Sequence, residues 1–411
     1  MIEIDDYRSS ERLARSVISS WWLAESHQVD VFARIGFPVR IESAHEVGQL
    51  LDTMQENRYE RFLNELGGLA ENDLRLLRRA LLCCVLFQRA CLPKRKPLLP
   101  ISTMTASLLL FRKILGFKPE IASILEVGPG CGYLSFFLAQ HAPLADYSQA
   151  EACESFYVLQ SMINAYLFGH RFRDFVIRGV ADDLAMQIRS DVDPPVLLDE
   201  RELPAPTCFH YPWWMLRALR EKRFDLVTSN ANLSEFTRPA LRDYLTIFAQ
   251  VLKDDGVVLA QCTGFPAHGS LEDLFDTLHE FRFAPIFCGL AEENVRSEML
   301  AALTAPFLTQ RFDAIRFALN NLVLVKEGHP LFFGAWDRRN FRHGFAAECT
   351  PLVRMFRAND NGQRLSRSEL AGLVKADLGG TAGLAGRGIA SPGTPRQPHR
   401  EQEPVRVPAA D

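Results

Sequence analysis

Residues 124–135 decide the fold: they read Ile124-Leu-Glu-Val-Gly-Pro-Gly-Cys-Gly-Tyr-Leu-Ser135, an apolar strand that runs into a glycine turn and then into a helical sequence. The three glycines carry no Cβ, so the backbone can turn tightly and approach a ligand closely. A dinucleotide fingerprint, G-x-G-x-x-G, would need its third glycine at the position of Tyr133. The stretch therefore predicts a ligand-binding loop and disfavours a nicotinamide or flavin oxidoreductase.

The pattern Glu126-x-Gly128-x-Gly130-x-Gly132 resembles motif I of the class I S-adenosylmethionine-dependent methyltransferases. The resemblance implies S-adenosylmethionine as the cofactor, with Glu126 engaging its methionine amino group and the glycines passing beneath it. Elementary geometry agrees, because a carboxylate at the carboxyl edge of a parallel sheet faces the crevice where ligands bind. The resemblance covers residues 110–328 and implies a seven-stranded, mostly parallel, doubly wound sheet, the Rossmann-like methyltransferase fold.

The sequence around this motif has the alternating pattern of strands and helices that is typical of an α/β protein. From Pro119 onward, short apolar runs alternate with amphipathic helices, which is the pattern of a parallel sheet covered on both faces. Seven strands are predicted: Ser123 to Val127, Tyr147 to Glu151, Phe175 to Arg178, Asp225 to Ser229, Val257 to Gln261, Pro285 to Cys288 and Asn321 to Val325.

Two further acidic positions fit the same cofactor. A carboxylate at the end of the second strand can accept hydrogen bonds from both ribose hydroxyls. Glu151 ends that strand and is preferred, with Glu154 as its competitor. Asp182 follows the third predicted strand and resembles the acidic residue that the family often places against the adenine amine, although helix capping explains it equally well.

The methyl acceptor is expected near the end of the fourth strand. Asn230, Asn232 and Glu235 follow that strand, and Asn230 and Glu235 are the candidate catalytic residues there. A DNA amino-methylating enzyme would show Pro-Pro and an aromatic residue after Asn230, and an arginine methyltransferase would show two glutamates. The loop has neither pattern, which disfavours both of these classes.

A second candidate segment is Phe209-His210-Tyr211-Pro212-Trp213-Trp214, interpreted as a loop ahead of the fourth strand. His210 titrates near neutral pH and is a candidate general base, while Tyr211, Trp213 and Trp214 offer flat faces to a ring or a sugar. Core packing of this loop explains the same residues about equally well. Together with the Asn230 loop, the segment resembles a bacterial group of sugar O-methyltransferases.

These residues lead to a functional hypothesis, the O-methylation of a hydroxyl on a small polar metabolite or sugar, with His210 or Glu235 accepting the proton. Two alternatives stay open. A methyltransferase acting on protein or RNA would dock through Lys94-Arg95-Lys96 and the N-terminal helices, and a non-catalytic scaffold would keep the glycine loop without an acceptor pocket.

Four segments are expected. Residues 1–100 show helical periods and predict a cap over the crevice or a homodimer interface, and residues 101–328 form the methyltransferase domain. Residues 329–375 form a C-terminal extension. Residues 376–411 are rich in glycine and proline and lack aromatic side chains, so a disordered tail is expected.

Composition limits the partners. A formal net charge of −4 gives no global positive field for DNA binding. The nine cysteines lack any Cys-x-x-Cys pair, and the histidines lack carboxylates at ligand spacing, so neither a disulfide framework nor a metal site is expected. The polar start and the short apolar runs favour a soluble cytoplasmic protein without a membrane span.

Overall fold

A computed structural model describes residues 4–17, 38–43, 46–53, 58–176, 205–230, 232–233, 235–261, 271–290, 319–332, 344–345 and 354–384. Within these residues the centre of the molecule is a nine-stranded sheet. Its strands are β1 (Ser123–Val127), β2 (Asp146–Glu151), β3 (Phe172–Asp174), β4 (Cys208–Pro212), β5 (Phe224–Ser229), β6 (Leu252–Ala260), β7 (Phe283–Leu290), β8 (Leu319–Lys326) and β9 (Gly344–Phe345).

The strand order is β3-β4-β2-β1-β5-β6-β8-β7-β9. All neighbours from β3 to β6 pair in parallel, whereas β8 pairs antiparallel with both β6 and β7. When the short edge strands β3 and β9 are left out, the order follows the doubly wound pattern, and antiparallel β8 is inserted between β6 and β7. The predicted Rossmann-like methyltransferase fold is confirmed, with two strands more than the seven expected.

The third strand of this pattern is not the one that the sequence predicts. Of the predicted strand Phe175 to Arg178, Phe175 and Val176 lie just beyond a three-residue edge strand, β3, which ends at Asp174, and the other two residues lie outside the described residues. The strand beside β2 is β4, whose five residues pair with Tyr147 to Glu151. Polar His210 made β4 resemble a loop, yet its ring nitrogens have partners inside the protein, so the strand can be buried.

Ten α-helices surround the sheet in the described part of the chain. They are α1 (Ile4–Val17), α2 (Val47–Thr53), α3 (Tyr59–Leu66), α4 (Glu71–Cys91), α5 (Ile101–Phe117), α6 (Ser135–Leu138), α7 (Glu154–Phe168), α8 (Arg238–Val251), α9 (Leu271–Glu280) and α10 (Arg367–Leu384). Helix α7 is buried almost all round, because it lies between the sheet and the N-terminal helices. Apolar residues form two clusters, one of which includes α3, α4, α5 and α7 and the other α8.

The C-terminal segment packs against the helical N-terminal region. Gln363 and Leu69 exchange backbone hydrogen bonds of 2.8 and 2.9 Å, and the Asn359 amide donates to the carbonyl of Gly68. In α10, Asp377 accepts two hydrogen bonds from Arg78 of α4. Helix α10 continues to Leu384 and crosses the boundary expected at residue 376, because it packs on α4. Residues 385–411 lie outside the described residues, and the other expected segment boundaries stay predictions.

Candidate functional site

The glycine loop between β1 and α6 has a backbone that only glycine adopts without strain. Gly128, Gly130 and Gly132 have φ angles of 63°, 58° and 69°. A Cβ on Gly128 would lie 2.5 Å from Nδ2 of Asn232, and one on Gly132 would lie 3.2 Å from Cγ of Gln160. The loop is therefore held between two side chains and has no room for larger residues.

Asn232 holds the loop from the side of β5. Its Nδ2 donates to the carbonyl of Val127 at 2.8 Å, so the buried amide satisfies the carbonyl at the end of β1. Sequence analysis placed Asn232 near the cofactor crevice, and the structure gives it this structural contact.

Glu126 lies on β1 and is 4 % exposed. Its Oε2 accepts hydrogen bonds from the Tyr147 hydroxyl and from Nε2 of Gln149 at 3.2 Å. Burial raises the pKa of Glu126 to about 7, although both of these hydrogen bonds lower it. The carboxyl group is thus poised between its two protonation states at neutral pH, and its recorded partners are all neutral.

Glu151 ends β2, the strand next to β1, and is 3 % exposed. Its Oε1 accepts from the backbone N–H groups of Ala152 and Cys153 at 2.8 and 2.9 Å, and its Oε2 accepts from Nε2 of Gln160 at 2.9 Å. Burial raises its pKa. Since a carboxylate oxygen has two lone pairs, Oε2 keeps a further acceptor position for a ligand.

Glu154, the competitor of Glu151, is engaged elsewhere. Its carboxylate pairs with Arg8 at 3.1 Å and Arg40 at 2.5 Å and accepts from the backbone N–H of Ile41. These contacts anchor α1 and the segment around Ile41 to the start of α7. The geometry therefore supports Glu151 as the ligand-facing residue of the two.

Gln160 is a site residue that sequence reasoning missed. It lies on α7 and is fully buried, and its Nε2 donates to the carbonyl of Gly130 at 2.7 Å and to Glu151. A signal was present in the sequence, because three polar residues (Gln160, Ser161 and Asn164) interrupt an otherwise apolar helix and must find partners when buried. We call the set of Glu126, Glu151, Gln160 and the glycine loop the glutamate cluster.

His210 lies in the interior of the sheet and is 0 % exposed. Its Nε2 is 2.8 Å from Oε1 of Gln160, and its Nδ1 is 3.0 Å from Oγ of Ser161. Its ring stacks on Tyr157 with the centroids 3.9 Å apart. Burial lowers the pKa of His210, so the neutral ring is favoured at neutral pH. A general base must reach the proton that it removes, and these contacts place both ring nitrogens away from the surface.

The aromatic residues after His210 pack on α1 and on the sheet. Tyr211 and Trp213 are buried, and Trp214 is half-buried against Tyr7 of α1, with ring centroids 5.0 Å apart. Strand β4 lies beside β2, on the opposite side of β1 from β5. Tyr211 and Trp213 nevertheless belong to the same apolar cluster as Leu233 and Phe236, which follow Asn230. The aromatic segment and the residues after Asn230 therefore contribute to one part of the core.

A different polar set lies where β5 and β6 end. Oδ1 of Asn230 accepts from the backbone N–H of Gln261 at 2.7 Å. The side chain of Gln261 accepts from Nζ of Lys113 at 3.2 Å, and Lys113 also donates to Glu65 and Asn321, at 2.7 Å each. Burial lowers the pKa of Lys113. We call these five residues the amide cluster, and Asn230 is its one member that the sequence interpretation had found.

Two sequence candidates remain. Glu235 is half-buried just beyond the end of β5, where its backbone N–H donates to the carbonyl of Asn232 at 2.8 Å. Asp182 lies outside the described residues. Over the described residues, no group of three His, Cys, Asp or Glu side chains is placed to hold a metal ion, and no helix is long and apolar enough to cross a membrane.

Comparisons with known proteins add structural likeness alone. No family model and no curated protein matches the chain. Among solved structures, ribosomal protein L11 methylase from Lactobacillus delbrueckii subsp. bulgaricus is 13% identical, with 54% of this chain and 77% of that chain covered and a TM-score of 0.28. The O-methyltransferase of a trans-AT PKS multienzyme of Brevibacillus brevis is 8% identical, with coverages of 69% and 94% and a TM-score of 0.32. The O-methyltransferase TomG from Streptomyces achromogenes is 15% identical, with coverages of 66% and 95% and a TM-score of 0.31.

These TM-scores lie near 0.3, so the likenesses are distant, and the fold is defined by the strand order and the loop geometry. The described sheet has the doubly wound order, and its first strand leads into a loop of three glycines with positive φ. In both features the chain resembles the class I S-adenosylmethionine-dependent methyltransferases.

Proposed function

We propose that this protein is an S-adenosylmethionine-dependent methyltransferase. The observation that carries the proposal is the glutamate cluster, in which two buried carboxylates lie on adjacent parallel strands beside a glycine loop whose backbone leaves no room for a Cβ. Two carboxylates that differ in position suit a ligand with an ammonium group at one end and a pair of hydroxyls at the other. This set of donors and acceptors fits the cofactor.

The residues of the cluster take separate roles in this proposal. Glu126 would hold the methionine ammonium group, and its ionised form is the one that binds a cation. Glu151 would accept from the ribose hydroxyls, while its contacts with Ala152 and Cys153 keep the carboxylate fixed. The cofactor would supply an electrophilic methyl group. The protein then has to align an acceptor with that methyl and remove its proton.

The favoured reaction is methylation of a hydroxyl on a small polar metabolite or sugar. The amide cluster supports it, because Asn230, Gln261 and the Lys113–Glu65 pair offer both donors and acceptors at the ends of β5 and β6. Glu235 is the candidate proton acceptor on this side of the sheet. Phe209 and Trp214 are the half-buried aromatic residues of this segment, and Trp214 is the candidate substrate-binding residue among them.

The first test is titration calorimetry of the purified protein with S-adenosylhomocysteine and, separately, with NAD. Micromolar binding of S-adenosylhomocysteine alone would support the proposal and justify a screen of hydroxylated acceptors that begins with glycosides. No binding by a folded sample would overturn it and favour the scaffold alternative. A protein or RNA acceptor would instead give a strong salt dependence of activity. Homodimer formation and a cytoplasmic location stay predictions.

A further inference from the structure

A chain of buried polar contacts connects the edge of the sheet to the glycine loop. It runs from Asp174 on β3 through Ser161 and His210 to Gln160 on α7, and from there to Glu151 and the carbonyl of Gly130. The distances along it lie between 2.6 and 3.0 Å. Buried polar groups that are fully paired fix one arrangement of their surroundings.

The orientation of the Gln160 amide follows from its neighbours. One end of the amide lies between the carbonyl of Gly130 and the carboxylate of Glu151. A carbonyl can only accept hydrogen bonds, and the same is true of an ionised carboxylate. The NH₂ group must therefore point toward them. The amide oxygen then points toward His210, at 2.8 Å from Nε2.

This orientation also determines the proton on His210. Because Oε1 of Gln160 can only accept, Nε2 of His210 must carry a hydrogen. Ser161 has one hydroxyl proton, and in the neutral ring that proton goes to Nδ1 of His210 and not to Asp174. In the protonated ring, Nδ1 donates to that hydroxyl, which then donates to Asp174. Nε2 donates to Gln160 in both states, so the amide keeps its orientation whether or not the ring is charged.

We propose that Gln160 is a positioning residue for the ribose end of the cofactor, oriented by His210. The NH₂ group of Gln160 donates both to Glu151, which would bind the ribose hydroxyls, and to the glycine loop, which would pass beneath the cofactor. It therefore couples the position of the Glu151 carboxylate to the position of the loop. His210 acts through Gln160 and not on the acceptor. This inference rests on the proposed function, since it assigns Glu151 to the ribose.

The test measures the affinity of the full-length protein for S-adenosylhomocysteine and for its 2′-deoxy analogue, by calorimetry. The Gln160→Met variant keeps the volume of the side chain and removes both donors. One lost hydrogen bond to a charged group weakens S-adenosylhomocysteine binding roughly 10- to 100-fold. The preference of the wild type for the ribose over the deoxy sugar is expected to shrink toward one in this variant. An unchanged preference would overturn the proposal, because a purely structural defect weakens both ligands equally.

His210 gives a second measurement, in which Gln160 stays in place. His210→Phe keeps a ring against Tyr157 and removes the Nε2 donor, so a loss of S-adenosylhomocysteine affinity is expected. His210→Gln returns an N–H at a similar reach, and it should recover most of that loss. Equal affinity in the wild type and His210→Phe would overturn the role of His210 as a positioning residue.

Two controls separate the possible failures. Thr105→Val alters a buried hydroxyl of α5 that bonds to its own helix and should leave both ligand affinities unchanged. If Gln160→Met does not fold, Gln160→Asn keeps the amide but withdraws it from Gly130 and Glu151, and the same loss of ribose preference is expected. If the wild type itself fails to bind S-adenosylhomocysteine, the proposed function fails first. If the wild type binds S-adenosylhomocysteine and the variants bind it with the same affinity, only the positioning role of Gln160 and His210 is refuted.

Discussion

The glutamate cluster lies around β1 and β2, the amide cluster lies around β5, β6 and β8, and the two are built differently. The hydrogen-bond partners of Glu126 and Glu151 come from β2, from α7 or from the backbone next to Glu151. In the amide cluster the partners come from α3 and α5 as well as from β8. The two carboxylates are thus paired by residues at most 23 positions away in sequence, whereas Lys113 of the amide cluster contacts residues more than a hundred positions away.

The two clusters also differ in charge. Glu126 and Glu151 have neutral recorded partners, and burial raises the pKa of both. In the amide cluster, Lys113 and Glu65 form an ion pair. A cationic ligand would therefore be attracted more strongly by the glutamate cluster than by the amide cluster. We expect substitutions in the glutamate cluster to have the larger effects on cofactor affinity. The predictions below test this, in order of the expected change in S-adenosylhomocysteine affinity, from the largest to the smallest.

Gly128→Val is expected to weaken S-adenosylhomocysteine binding by more than about 100-fold, because the left-handed backbone and the contact with Asn232 each oppose a side chain. Calorimetry measures the affinity. Gly169→Val is the matched control, since Gly169 has a φ of 55° but nothing within 4 Å of its absent Cβ. Equal losses of S-adenosylhomocysteine affinity in the two variants would show that backbone strain alone lowers the affinity, whether or not the substituted glycine lies in the glycine loop.

Glu151→Ala is expected to weaken S-adenosylhomocysteine binding roughly 10- to 100-fold, because a charge-assisted hydrogen bond to the ligand is lost. Glu154→Ala serves as the control, since its carboxylate pairs with Arg8 and Arg40 instead. Glu154→Ala should lower the melting temperature and leave the affinity within about twofold. Unchanged affinity in Glu151→Ala would remove this residue from the site.

The affinity for S-adenosylhomocysteine is expected to rise about tenfold between pH 6 and pH 8, because Glu126, with a pKa of about 7, becomes ionised over this range and then attracts the ligand's ammonium group. Calorimetry at several pH values checks this. In Glu126→Gln the rise should disappear. A tenfold rise that persists in the variant would assign it to another group.

The same substitution tests the cost of the buried carboxylate. The folded-state pKa of Glu126 lies above its ordinary value of 4.5, so the folded protein binds more protons between pH 4.5 and about 7. The stability contributed by the neutral group is present below pH 4.5 and is lost as the pH rises through about 7. Glu126→Gln is therefore expected to raise the melting temperature at pH 8 while lowering affinity for the cofactor.

Lys113→Met is expected to leave S-adenosylhomocysteine affinity within about twofold while it reduces stability by roughly 1 to 3 kcal/mol, because three hydrogen-bond acceptors lose their donor. Chemical denaturation and calorimetry measure the two effects. A loss of affinity as large as that of Glu151→Ala would erase the distinction between the two clusters.

The sequence predicted what depends on local pattern. The glycine loop was found because it follows the apolar run of β1, and Glu126 and Glu151 were selected through the resemblance of that loop to the class I methyltransferase motif. Strand β1 has the predicted bounds, and β2, β5, β7 and β8 extend their predicted cores by a few residues. Strand β6 begins at Leu252, earlier than predicted, and ends at Ala260, one residue before the predicted Gln261. Residue roles in the site stay predictions until the binding experiments are made.

Long-range pairing could not be predicted in the same way. β4 was interpreted as a loop because His210 looks reactive in an aromatic segment, and only the position of α7 shows that Ser161 and Gln160 satisfy its ring. Lys113 and Glu65 were missed because they meet Gln261 and Asn321 only after the whole sheet is assembled. Helix α10 was missed in part because glycines near its end lower helix propensity, and contact with α4 offsets that cost.

The pairing of Gln363 with Leu69 has a consequence for synthesis on the ribosome. Leu69 lies just ahead of α4, and its backbone N–H and carbonyl groups pair with Gln363, which is translated almost three hundred residues later. Contacts of such high sequence separation form late, because a long loop must close before they are gained. The N-terminal helices can therefore complete their packing only after Gln363 has left the exit tunnel.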